Sequence, residues 1–147
     1  MDNAVGYCQN RTKMTKDEQT AHILAAMELV AEQAGDISPA IFSRYFERCA
    51  DSRELMEHMD EHMLGRMMDQ VLLLIMEPGE DELTSYIEFE TASHKSYGVR
   101  PHMYESLMRS VQDVMSQELG SAFSPDMAAA FQARIDYLLQ EISAAEA

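Results

Sequence analysis

At 147 residues the chain falls in the range of one domain with one substantial core, and its 26 acidic against 11 basic side chains give a formal charge of −15. Such a charge repels phosphate backbones and anionic lipid, so it argues against nucleic acid and membrane surfaces as partners and for solubility, without identifying a substrate. No apolar run approaches the length of a bilayer span, and the polar start around Asn3, Gln9 and Asn10 lacks the apolar core of a signal peptide, so a cytoplasmic location is expected. Cys8 and Cys49 form neither a CxxC pair nor a disulfide framework, which suits a reducing compartment.

Residues 1 to about 14 carry no periodicity and are expected to form a disordered tail ahead of a single domain over 15–147. Thr15 and Glu18 make a capping-box pattern, and Ile23, Met27, Leu29 and Val30 draw an apolar stripe up to Gly35, predicting a helix over about 16–34. Ser38-Pro39 repeats the start signal, with Ile41, Phe42, Tyr45 and Phe46 as the buried face of a second helix. Ala50 to Met56 predicts a short third element. A long helix over about 60–77 follows, its apolar positions recurring from Met59 to Ile75 until Pro78-Gly79 breaks it. Helices over about 81–96, 101–118 and 125–143 complete the chain, the last behind a second Ser-Pro start at Ser124-Pro125. Seven helices and no strand predict an all-α fold, with connections too short for a domain boundary.

The chemistry concentrates between Ser93 and Tyr104. Gly98 stands where a helix stops in the left-handed conformation, and Pro101 stands where the next begins, so His94 lies about one turn before a rigid corner. One ring nitrogen can then meet a metal while the other is fixed by Ser93 or a carbonyl one turn back, the arrangement of an axial ligand; a solvated or hydrogen-bonded helix histidine is the plain alternative. A competing string, His58-Met59-Asp60-Glu61-His62, has the HxxEH form that places two zinc ligands one turn apart. It lacks a third ligand and reads better as a charged, solvated helix start. The Glu-x-x-His pairs of a di-iron bundle do not occur, nor does a CxxCH haem-attachment string, and 13 methionines read as a soft core before they read as sulfur ligands.

His94 with Gly98-Val99 and Tyr104, continuing through Glu105-Ser106-Leu107-Met108, Gly120 to Pro125 and Phe131, resembles the proximal corner of bacterial single-domain globins and of the globin half of flavohaemoglobins. Upstream, Ile41 to Phe46 and Gly65-Arg66-Met67-Met68 through Ile75 resemble the second and distal helices, so the likeness runs over about residues 17–142. It implies a globin-like fold of about seven helices around a pocket for one b-type haem, held non-covalently, with His94 on the iron. It implies a distal lining drawn from Phe42, Met56, Met63, Leu64, Met67 and Met68, with Val99 and Tyr104 in the corner beside His94. Arg66 or Arg100 could meet a propionate, against the equal reading of solvated arginines. Tyr104 either packs or orients His94; in flavohaemoglobins this tyrosine joins a late glutamate, a part not assigned to Glu146, which is expected to lie in a frayed C-terminus. Met56 stands where the family has a phenylalanine, and Phe131 where it has a tryptophan.

The resemblance further implies reversible binding of dioxygen, carbon monoxide or nitric oxide, for oxygen binding, nitric-oxide handling or gas and redox sensing, as a monomer or homodimer. Turnover as a nitric-oxide dioxygenase would need an external reductase. The alternative from another class is a haem-free globin-fold sensor or interaction module with an apolar ligand cavity.

Overall fold

The computed structural model describes residues 14–146, so the expected N-terminal tail falls outside it apart from Met14. Among the described residues there are seven α-helices and no strand: α1 (Lys16–Ala34), α2 (Ser38–Arg48), α3 (Ala50–Leu55), α4 (Glu61–Met76), α5 (Glu80–Ser96), α6 (Pro101–Leu119) and α7 (Pro125–Glu146), with a 3₁₀ turn over Gly120–Ala122 before the last. None is long and apolar enough to cross a membrane.

The start signals work as hydrogen bonds. Thr15 Oγ1 accepts the Glu18 N–H at 3.1 Å while the Glu18 carboxylate accepts the Thr15 N–H at 3.3 Å, so two orphan donors at the head of α1 are satisfied reciprocally. Asp60 caps α4 by accepting the Met63 N–H at 2.8 Å, which moves the helix start one residue beyond the expected position 60. Ser124 Oγ does the same for the Met127 N–H at 3.1 Å at the head of α7. At the other end α7 runs to Glu146 rather than stopping near 143, because Ile142 is buried and Ala145 packs against the core, so the last turn is held by tertiary contact.

α1 packs on α6 and α7, α2 on α6, and α5 on α7, around a core that includes Ile23 and Val30 of α1, Ile41 and Phe42 of α2, Met115 of α6 and Phe131 and Leu138 of α7. Each such side chain contributes roughly 1.5–3 kcal/mol on burial. Ion pairs cross the same seams at the surface: Asp113 on α6 accepts from Arg44 and Arg48 of α2, each at 2.8 Å, and Arg109 of α6 reaches Asp136 of α7 at 2.6 Å. The helices α4 and α5, consecutive in the chain, behave differently. Both pack against α7, and they make at most marginal contact with one another.

A buried cation fixes the far end of α4. The Arg134 side chain on α7 is 1 % exposed. Its guanidinium donates to the carbonyls of Ile75 and Met76 at the close of α4, and to the Lys16 carbonyl and Thr20 hydroxyl of α1. Helix C-termini present unpaired carbonyls and a partial negative charge, so one planar donor fork satisfies α4 and binds three helices together. Burial pushes this guanidinium down from its ordinary value, and the carbonyls supply the compensation.

Candidate functional site

α5 is laid against α7 by Leu83, Ile87 and Thr91, buried one turn apart, with the Thr91 hydroxyl donating to the Ile87 carbonyl at 2.8 Å. Continuing that face brings His94 to the last turn. Gly98 then takes φ +95°, and the Val99 N–H donates back to the His94 carbonyl at 3.1 Å, so the corner is closed by the glycine conformation expected from the sequence. Leu55, at the end of α3, lies 3.4 Å from where a Cβ at Gly98 would stand, so α3 abuts the corner.

The His94 ring is oriented from one side. Nδ1 lies 2.7 Å from the Glu90 carbonyl, and since a carbonyl only accepts, Nδ1 carries the hydrogen and the Nε2 lone pair is left for another group. The Glu90 carboxylate stands 3.7 Å from the same nitrogen, and 38 % of the His94 side chain is exposed. Tyr104, from the first turn of α6, sets its ring edge-on to His94 with centroids 6.2 Å apart. Among the described residues its hydroxyl is the one buried side-chain polar atom without a hydrogen-bond partner. Burial first, and then the negative fields of Glu146 and Glu90, push this hydroxyl up to about 12. The late glutamate expected in a frayed C-terminus is thus half-buried in the last turn of α7, close enough to be felt at Tyr104.

On α4, Met68 and Ile75 are turned fully inward and Leu64, Met67 and Val71 partly so. Phe42 and Met56 are buried, Phe42 with its ring 6.1 Å from Phe46. The candidate lining therefore divides. Phe42, Met56, Leu64, Met67 and Met68 are buried or partly buried, whereas Met63 is 42 % exposed and Arg66 and Arg100 face solvent. Val99 is half-buried beside the corner.

The HxxEH string is brought to no site: His58, Glu61 and His62 are exposed, and among the described residues no three His, Cys, Asp or Glu side chains converge as a metal cluster would require. Sequence reasoning missed a second buried group. The buried Ser52 hydroxyl donates to the Tyr45 hydroxyl at 2.6 Å and lies 3.2 Å from the Cys49 thiol; burial pushes the Tyr45 hydroxyl up to about 12, against the lowering effect of the Ser52 hydrogen bond. It missed Glu90 as well, although a carboxylate four residues before a helix histidine is a spacing legible in sequence.

A family model described as Globin matches residues 39–142, from the first turn of α2 to the last turns of α7. Comparison with curated proteins finds no match.

Proposed function

The chain belongs to the globin family, and from that premise we propose that it binds one b-type haem through His94 Nε2 and reversibly takes up a diatomic gas on the side facing α4. The observation that carries this reading is the His94 ring, its Nδ1 tied to the Glu90 carbonyl at 2.7 Å and its Nε2 lone pair left over, on a helix that barely touches the helix opposite. A hydrogen bond to the far nitrogen fixes tautomer and ring plane, as a metal-ligating histidine requires. The unpartnered Tyr104 hydroxyl and the thioether and aliphatic faces of Met67, Met68 and Leu64 suit a large, flat, apolar group with a polar corner near His94.

When bound, haem iron supplies the centre on which a diatomic gas coordinates. The protein's own residues do the rest. Glu90 and Tyr104 hold the His94 ring, Met68 and Ile75 of α4 exclude water from the opposite face, and the exposed Arg66 and Arg100 would pair with propionates. A lining of Phe42, Met56, Leu64, Met67 and Met68 carries no strong hydrogen-bond donor, so it favours gases that need none. The Tyr45 hydroxyl, buried on α2, is engaged with Ser52. Turnover, where it occurs, draws electrons from an external reductase.

Purified protein, or apoprotein titrated with haemin, is expected to show an intense band near the edge of the visible range at one haem per chain. His94→Gly should lose iron–histidine ligation while keeping its helical content, and added imidazole should restore the spectrum in part. A colourless protein that refuses haemin would favour the haem-free module. Unchanged ferrous and carbon-monoxide spectra in His94→Gly would move the ligand elsewhere.

A further inference from the structure

We propose that Glu90 is a positioning residue for His94, its carboxylate setting the electron density that the imidazole delivers to a metal at Nε2. The inference rests on the reading of His94 as the iron ligand. Residues four apart on a helix lie one above the other, so Glu90 gives the Nδ1–H a hydrogen-bonding carbonyl at 2.7 Å and places its carboxylate oxygen, beyond hydrogen-bond range, 3.7 Å from the same nitrogen. The carbonyl alone suffices to orient the ring. The carboxylate adds a full negative charge beside it, and part of that charge reaches the core, because the buried Tyr104 hydroxyl edge-on to His94 also feels Glu90.

A negative charge next to Nδ1–H draws the hydrogen away from the ring and makes Nε2 a stronger donor. A stronger donor tightens the bond to iron and stabilises the ferric over the ferrous state. With both side chains about one third exposed, the field is partly screened in the structure described, and a planar group covering His94 on the Nε2 side would remove water from the pair and strengthen it. The device is local to α5: it needs neither Glu146 nor the C-terminal turn.

The test uses the full chain reconstituted with haem. The iron–histidine stretching band of the ferrous protein and the ferric/ferrous reduction potential are measured for the parent chain, Glu90→Gln and Glu88→Gln. Glu88 is exposed on the same helix, so its variant makes the same change in net charge away from His94. Glu90→Gln is expected to lower the stretching frequency and raise the potential, while Glu88→Gln leaves the band in place and moves the potential less. A band and potential in Glu90→Gln that match Glu88→Gln would overturn the assignment to Glu90. If the parent protein shows no iron–histidine band at all, or His94→Gly keeps it, the His94 reading falls and Glu90 with it.

Discussion

Phe42 is where a single side chain most directly sets the behaviour of the proposed pocket. Its ring is buried on α2 and stacked toward Phe46, and it offers a bound gas no hydrogen bond. Dioxygen on iron carries partial negative charge on its outer oxygen, whereas carbon monoxide is nearly uncharged, so a buried donor stabilises the first by about 1–3 kcal/mol and the second little. Phe42→Tyr is therefore expected to slow dioxygen dissociation by about one to two orders of magnitude and to leave carbon-monoxide dissociation nearly unchanged. Flash photolysis and stopped-flow measurements check this. Slow dioxygen release in the parent protein, unaltered by the substitution, would reveal a donor already in reach. The Tyr45 hydroxyl would have to leave Ser52 to act as that donor, and His62 would have to swing in from solvent.

At the scale of the element, two helix ends decide how the site is framed. Gly98 closes α5 at φ +95°, where a side chain is strained, while a Cβ would meet Leu55 only at ordinary contact distance, 3.4 Å, so the strain is the backbone's. Gly98→Ala should destabilise the fold by about 1–2 kcal/mol, read as a lower urea midpoint at unchanged slope. Arg134 closes α4 from below. Arg134→Met keeps much of the volume but leaves the buried Ile75 carbonyl, and the partly buried Met76 and Lys16 carbonyls and Thr20 hydroxyl, without their donor, at an expected loss of about 2–4 kcal/mol. Hydrogen exchange should locate the loosening in the last turn of α4 and the first of α1. If exchange rises uniformly instead, the clamp is not local.

For the whole molecule, charge and buried hydroxyls give stability a readable pH profile. Burial pushes the Asp113 carboxyl up, but hydrogen bonds from Arg48 and Arg44 outweigh this and hold it below the usual carboxylate range. A folded value below the unfolded one gives stability that is present above about pH 4 and lost as the pH falls through the folded value. Tyr45 works in the opposite direction. It stays neutral in the fold up to about 12, while an unfolded tyrosine ionises near 10, so stability should fall between about pH 10 and 12, by roughly 2–3 kcal/mol for a fully buried ring. Urea midpoints across the pH range test both limbs, and Tyr45→Phe should make the alkaline one shallower, leaving the part that Tyr104, also pushed up to about 12, contributes. At neutral pH the −15 charge repels itself, so moderate salt should raise the midpoint of thermal unfolding.

Local chemistry accounts for what the amino-acid sequence determined by itself. Caps, glycine and proline act over a few residues, so Thr15, Ser124, Gly98 and Pro101 located helix starts, the corner and the position of His94 without reference to the rest of the chain. Helical periodicity likewise marked Phe42 and Ile75 as interior. Periodicity tells less about the two ends of a helix, where one residue of register turns a side chain from core to solvent, and so Met63 emerged at the surface. What only the tertiary structure decided depends on segments far apart in sequence. The burial of Arg134 requires the ends of α1 and α4 to meet, and the order of the last turn comes from its contact with the core. The slight contact between α4 and α5 follows from how each sits on α7. Such contacts exchange chain entropy for burial between partners dozens of residues apart, and no window of local pattern contains both partners.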